Sequence, residues 1–440
     1  MKISIIGLGK LGACSAACFA YRGFDTIGVD INKSFVDAIN HGKAPVYEPR
    51  LQEFITASRG RLRATQSYEE AIRESDITFL IVPTPSRHDG SFSDRYLQDA
   101  LTELSKALKK TDKKYHLFAI TSTVSPGTTD EALIPLIESV SGRKNGKGFD
   151  VAYNPEFIAL GDVINGFLKP DMLLIGESDR SVGDKLEKIY LKVCENKPYM
   201  ARMSIVSAEI TKIVLNSYVT MKISFANNLA NICEKVPGAE IDKITAALGS
   251  DRRISPYYLK GGLSYGGPCF PRDNRAFNSF AKKCGLDTPL ADSTDEINKF
   301  QVKHVTDKVL GLLPKEGGTV AVLGLSYKTK TPVIEESASI KIISQLLERA
   351  SDMLEITVYD PLAMDNARAL FGDDILYASS MSDCLAKASV VIITTPEDEF
   401  KGLKEGDMRK GKVTIIDCWR ILDPKKFSKA IKYIALGRKS

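Results

Sequence analysis

Short apolar runs alternate with amphipathic stretches over the first third of the chain. Ile3–Ile6, Thr26–Val29, Ile77–Val82, Leu117–Ser122 and Val151–Tyr153 read as strands, and Leu11–Tyr21 and Ser34–Asn40 carry helical spacing between them. Strands that alternate with helices predict a parallel, doubly wound sheet. From Ser204 the pattern changes. Ser207–Lys235 contains no Pro or Gly and places Ile, Val, Leu, Met and Phe at helical intervals, which predicts one long, largely buried helix. Helical spacing continues to Leu248 and returns over Asn274–Cys284 and Thr294–Leu313, so the middle of the chain reads as all-α. After Pro314-Lys-Glu-Gly-Gly318 the alternation resumes. Thr319–Leu323, Glu355–Tyr359, Val390–Thr394 and Val413–Ile416 read as the strands of a second, smaller α/β domain. The expected divisions are residues 1–200, 201–313 and 314–440.

A chain of 440 residues is too long for one core, which agrees with that division. No run of eighteen apolar residues is present, so no membrane span is expected. The first residues lead straight into a strand without a signal-like apolar region, and the expected location is the cytoplasm. The net charge of +5 is dispersed, with no basic stripe interleaved with aromatics. That disfavours nucleic acid as a partner and suits a small anionic substrate. Eight cysteines are scattered without a CxxC pair, and His41, His88, His116 and His304 lie far apart. Free thiols and no metal site are expected.

The first strand runs into Gly7-Leu-Gly9-Lys-Leu-Gly12 and then a helix. Gly7 suits a tight turn, Gly9 lets main chain approach a pyrophosphate, and Gly12 lets the helix close on the strand. Asp30 ends the next strand, where a carboxylate accepts bonds from a ribose hydroxyl and repels a 2′-phosphate. NAD is therefore expected over NADP, with Lys33 softening the preference slightly. Cys269 sits in Gly266-Gly-Pro-Cys-Phe-Pro-Arg-Asp273. A cysteine in a loop flanked by glycine suits a nucleophile, and pattern alone leaves a packed thiol equally open. Lys212 and Asn216 share one helix face, with Thr220, Ser224 and Asn227 roughly continuing it. That line reads as a solvated stripe or as an oxyanion site. Glu156 in Asn154-Pro-Glu-Phe157 and Thr123 each follow a strand, where ligands of open α/β sheets sit. Either could equally be a surface loop residue.

These motifs, in this order, resemble the UDP-glucose/GDP-mannose dehydrogenase family over essentially the whole chain. Also matching are Val82-Pro-Thr-Pro85, Ser122-Thr-Val124, Pro126-Gly-Thr128, Glu209-x-x-Lys212-x-x-x-Asn216, Asp251-x-Arg253-Ile254, Gly324-Leu-Ser-Tyr-Lys328 and Tyr359-Asp-Pro361. The resemblance implies an N-terminal Rossmann-like NAD domain, a central helical dimerisation domain and a C-terminal Rossmann-like UDP-binding domain. It implies oxidation of a sugar C6 alcohol to a carboxylate with two NAD, through a thiohemiacetal and a thioester on Cys269. The Cys-Phe-Pro-Arg-Asp form resembles the UDP-glucose branch, and Asn-Pro-Glu-Phe speaks against the N-acetylhexosamine branch. Lys212, or a water held by Asp273, would take the first proton. Lys212 and Asn216 would stabilise oxyanions, and Glu156 with Thr123 would orient the hydrolytic water. Thr84 and Thr123 would contact NAD. Phe157, Arg253, Tyr258, Lys260, Gly266, Lys328 and Arg420 would contact the UDP-sugar, Arg253 across a homodimer interface.

Three positions depart from the pattern. Leu160 stands where many members carry a second Glu, and Glu335 stands where an Arg helps to hold NAD. Asp417-Cys-Trp-Arg420 replaces Asp-Gly-Arg. The other readings are a dehydrogenase of GDP-mannose or a UDP-N-acetylhexosamine, a two-electron hydroxyacid-type dehydrogenase, and a non-catalytic NAD-binding protein.

Overall fold

The first sheet is built from β1 (Lys2–Ile6), β2 (Asp25–Val29), β3 (Leu62–Thr65), β4 (Ile77–Leu80), β5 (His116–Ile120), β6 (Lys144–Asn145), β7 (Gly148–Tyr153), β8 (Met172–Glu177) and β9 (Tyr199–Met203). In this computed structural model, which describes residues 1–58, 60–314 and 316–439, their order is β3-β2-β1-β4-β5-β7-β8-β9, with β6 beside β7. The order reverses between β1 and β4, which opens a crevice at the carboxyl ends of the strands. The expected strands are all present, and β3, β6, β8 and β9 are additional. The sheet departs from the all-parallel expectation at β8, which runs antiparallel to β7. The Asn154–Leu168 segment stays at the carboxyl edge of the sheet, and β8 returns from that edge without a crossover.

Helix α1 (Lys10–Tyr21) is buried from Gly12 to Ala20. Ala13, Cys14, Ala16 and Ala17 are small, so its axis lies close to the sheet, against Ile3, Ile5 and Phe79. Helix α2 (Lys33–Asn40) ends beside edge strand β3. There Asn40 donates from Nδ2 to Ala64 O (2.9 Å) and accepts at Oδ1 from Ala64 N (2.8 Å). Helix α3 (Arg180–Val193) covers the β8 side through Val182, Leu186, Ile189 and Tyr190.

Helix α4 (Ile205–Cys233) is the long helix foreseen from composition. It is less buried than expected, since Tyr218, Phe225 and Ile232 are exposed at seven-residue intervals. The contacts divide the chain within it, into units Met1–Val214 and Leu215–Ser440. The second unit continues with α5 (Ile241–Ser250), α6 (Phe270–Lys283) and α7 (Pro289–Leu310). Lys315, in the segment expected to open the last domain, lies outside the described residues. A parallel sheet follows, with β10 (Gly318–Leu323), β11 (Leu354–Tyr359), β12 (Leu376–Tyr377), β13 (Val390–Ile393), β14 (Val413–Asp417) and β15 (Ile431–Ala435) in the order β12-β11-β10-β13-β14-β15.

One corner occurs in both sheets. Gly7 N donates to Val29 O (2.8 Å) and Leu8 N to Asp30 Oδ2 (2.6 Å). Likewise Gly324 N donates to Tyr359 O (2.8 Å) and Leu325 N to Asp360 Oδ2 (2.7 Å). Both glycines have positive φ, 95° and 101°. In the second corner Asp360 is buried and takes further bonds from Ser326, Leu362 and Ala363.

The amino end of the first sheet holds a buried polar chain. Ser75 Oγ donates to Ser4 Oγ (3.0 Å), which lies 2.7 Å from Thr78 Oγ1, itself 2.7 Å from His116 Nε2. Burial, reinforced by the charges of Lys113 and Arg143, pushes the His116 imidazole down to about 3. The unfolded chain binds this proton near 6.5, and the folded chain excludes it until far lower pH. Stability is therefore full above pH 6.5 and is lost as pH falls below it, by about 2 kcal/mol at pH 5. Urea unfolding of the wild type and of His116→Gln at pH 7 and pH 5 checks this. The wild type loses the larger amount on acidification.

Candidate active site

The glycines of the first loop differ in what surrounds them. A Cβ on Gly12 would lie 1.8 Å from Gly7 O, and one on Gly7 would lie 2.3 Å from Ile81 O. At Gly9 nothing lies within 4 Å. Gly9 is also the N-cap of α1, with no side chain capping the helix. Two glycines thus close the turn, and the third leaves open space before unpaired helix N–H groups, which fits a pyrophosphate. Asp30 holds the loop through Leu8 N and accepts from Asn32 N at 2.8 Å, so its carboxylate is fixed at the end of β2. Thr84 Oγ1 donates to Thr123 O (2.7 Å), joining the segments that follow β4 and β5.

Glu156 and Phe157 follow β7. Lys212 of α4 donates from Nζ to the main-chain oxygen of Glu156 (2.8 Å) and lies 4.7 Å from the Phe157 ring centroid. The Glu156 carboxylate is buried. Burial pushes it up to about 7, against the lowering influence of Tyr190 and Lys212. An acid poised there can exchange protons at neutral pH. Leu160, at the position of the missing second Glu, packs against the apolar core. Glu209, one turn before Lys212, accepts from Gly127 N (2.6 Å) and Thr129 N (3.0 Å), so α4 anchors the loop after Thr123. This anchor was visible in sequence only as a motif position without a role.

In the second unit Asn216 donates from Nδ2 to Asp273 Oδ2 (2.6 Å), and both are buried. Arg272 Nε lies 3.4 Å from Asp273 Oδ1. Cys269 is exposed at the N-cap of α6. That position sets the sulfur at the positive end of the α6 dipole, which favours its anionic form. The turn before it is tightly seated. A Cβ on Gly266 would lie 2.3 Å from Glu336 O, Gly267 has φ 84° against the Tyr327 ring, and Gly267 N donates to Glu335 O (3.0 Å). The Glu335 side chain is exposed, and the Glu336 carboxylate pairs with Arg275 (3.1 Å) and Lys341. The segment that departs from the family pattern therefore supports the Cys269 turn through its main chain. Tyr258 packs edge-on against Phe270 (6.0 Å), and Lys260 is exposed. Lys328 follows β10, and Arg253 is exposed and paired with Asp251 (2.7 Å).

Sequence models of one family match three successive parts of the chain. They are the NAD binding domain over residues 1–194, the central domain over 206–300 and the UDP binding domain over 321–424 of the UDP-glucose/GDP-mannose dehydrogenase family. The chain belongs to this family. The UDP-glucose 6-dehydrogenase AglM of Haloferax volcanii is 38% identical, over 96% of this chain and 97% of that protein. The GDP-mannose 6-dehydrogenase of Azotobacter vinelandii is 32% identical, over 94% and 96%. A solved UDP-glucose dehydrogenase from Pyrobaculum islandicum superposes with a TM-score of 0.89 at 31% identity, covering 99% and 98% of the two chains. This dehydrogenase is accordingly an NAD-dependent oxidoreductase of nucleotide sugars. No helix among the described residues is long and apolar enough to cross a membrane.

Arg420 is held elsewhere than at an open ligand face. Its guanidinium forms two bonds to Asp242 (2.7 and 2.9 Å) and others to Gly261 O (2.7 Å) and Leu436 O (2.8 Å). Removing the guanidinium takes the donor from two main-chain oxygens and a half-exposed carboxylate, at a cost of about 1–3 kcal/mol. Arg420→Ala should lower the melting temperature measured by calorimetry. At Gly9, Ala is expected to weaken NAD binding about tenfold or more in calorimetric titration while leaving melting unchanged. Gly7→Ala and Gly12→Ala instead lower the melting temperature, because their Cβ atoms have no room.

Proposed function

We propose that this enzyme oxidises the C6 hydroxyl of UDP-glucose to the carboxylate of UDP-glucuronate, with Cys269 as covalent nucleophile. The observation that carries the covalent step is the exposed Cys269 at the start of α6, in a turn too close-packed for any side chain at Gly266 or Gly267. The identity to AglM across nearly the full length of both chains supports the choice of sugar. Gly7, Gly9, Gly12, Asp30, Thr84 and Thr123 hold NAD. Two NAD bound in turn would each supply the hydride acceptor for one of two successive oxidations of C6.

In the first, Lys212 or a water held by Asp273 takes the hydroxyl proton. The Cys269 sulfur then bonds to C6 of the aldehyde, and the resulting oxyanion is stabilised by Lys212 and Asn216. The second oxidation leaves a thioester on Cys269. Water, oriented by Thr123 and deprotonated by Glu156, attacks C6. The C–S bond breaks, and carboxylate and thiolate are released. With Leu160 packed against the core where a second Glu would stand, Glu156 is the one carboxylate base of the hydrolytic step. Phe157, Tyr258, Lys260, Gly266 and Lys328 contact the sugar nucleotide.

The exposed apolar line Tyr218, Phe225 and Ile232 on α4 supports a homodimer. Lys222 of the same helix holds Ile254 O (3.1 Å) and Ser255 O (3.2 Å), which ties the Arg253 loop to it and supports a contact of Arg253 with the partner's substrate.

The test offers UDP-glucose, UDP-galactose, UDP-N-acetylglucosamine and GDP-mannose with NAD and counts NADH per sugar consumed. About two NADH on UDP-glucose is expected, as four-electron covalent catalysis requires. Cys269→Ala abolishes acid formation. About one NADH per sugar, or acid formed at an undiminished rate by Cys269→Ala, would sink the covalent mechanism. Preference for another sugar would reassign the substrate.

A further inference from the structure

The buried Glu156 carboxylate has one hydrogen-bond partner among the described residues. The Tyr190 hydroxyl of α3 lies 3.2 Å from Oε1, and the same hydroxyl lies 2.6 Å from Asn154 Oδ1. Asn154 cannot turn to offer its amino group, because Nδ2 donates to Leu174 O at 2.9 Å. The Tyr190 ring packs against Phe19 and Phe167, at 6.4 and 6.3 Å between centroids. The other titratable groups that face Glu156 are Lys212 from α4, Cys18 from α1 and Cys194 at the end of α3. Lys212 bonds the main-chain oxygen of Glu156.

A phenol has one proton to donate and lone pairs to accept with. When Glu156 is neutral, its proton is given to the Tyr190 oxygen and the Tyr190 proton to Asn154, so all three groups are paired. When Glu156 is ionised, the phenol proton has two acceptors. Turning it to the carboxylate leaves Asn154 Oδ1 buried without a donor, which costs free energy.

We propose that Tyr190 and Asn154 are positioning residues for the hydrolytic half of the reaction. Tyr190 fixes the Glu156 carboxylate, and Asn154 keeps it basic by competing for the phenol proton. This rests on the reading of Glu156 as the base in thioester hydrolysis. The two residues act in opposite directions. Tyr190→Phe removes the donor to the carboxylate, and the acidic limb of hydrolysis moves up by about one pH unit. Asn154→Leu ends the competition, and the limb moves down by about as much.

The experiment is single-turnover rapid quench with excess enzyme, NAD and whichever sugar nucleotide of the panel is turned over. Thioester decay is followed from pH 5 to pH 9 in the wild type, Tyr190→Phe, Asn154→Leu and Glu156→Gln. Infrared titration of the protonated carboxyl band, assigned by its loss in Glu156→Gln, reads the same shifts without turnover. Limbs displaced in opposite directions are expected. If Glu156→Gln stops hydrolysis and Tyr190→Phe leaves the limb in place or lowers it, the proposal is overturned and the role of Glu156 stands. If Asn154→Leu moves the limb upward, it is overturned likewise. If Glu156→Gln decays at the wild-type rate, the base assignment falls and takes the proposal with it. Each variant decides a sign on its own, so loss of one to misfolding leaves the other decisive.

Discussion

A segment that leaves the end of a strand carries main-chain N–H groups without a ladder partner, and burying them unpaired is costly. In this protein carboxylates take them. Asp30 holds Leu8 and Asn32, and Asp360 holds Leu325, Ser326, Leu362 and Ala363. Glu209 holds Gly127 and Thr129, and Asp417 holds Trp419 and Leu422. These acids fix the loops at the carboxyl edges of both sheets, which is where candidate ligand-binding residues stand. The same bond serves two ends. In the first unit it leaves Gly9 facing open space. In the second it fills the corner, since Asp360 is saturated by its own chain.

Helix α4 extends this logic to side chains. Glu209 and Lys212 both reach into loops at the sheet edge, one holding amides and the other a carbonyl and an aromatic face. One turn on, Asn216 secures the buried Asp273 beside the Cys269 turn. The polar line, whose pattern alone favours a solvated stripe, is instead a buried set of specific bonds. Its continuation through Ser224 and Asn227 is also buried, bonded to Thr294 O and to Leu263 O and Gly262 N.

Much of this was legible in the sequence because it rests on local pattern. The glycine loop, Asp30, the long helix and the Cys269 turn are contiguous, and each carries its own spacing signal. Strands β3, β6, β9, β12 and β15 are short or weakly alternating, and β8 is an apolar run that length and periodicity alone do not separate from a buried helical turn. The antiparallel return at β8 depends on where a loop ends in space, which no periodicity encodes. Tyr190 carried no signal either, because it lies on the apolar face of an ordinary amphipathic helix. Its hydroxyl acquires meaning only beside Glu156. Arg420 shows the reverse case. A motif position suggested a ligand contact, and the fold spends that guanidinium on Asp242 and main-chain carbonyls.

The Asn40 amide beside β3 bears on assembly. An amide group presents one donor and one acceptor with the spacing of a peptide unit, so Asn40 occupies Ala64 as the next strand would. That sheet is terminated by a side chain in the middle of its outermost strand. Growth of the sheet from copy to copy would have to break both bonds first. Ladder pairing along β3 is thereby disfavoured, an obstacle written into a single asparagine.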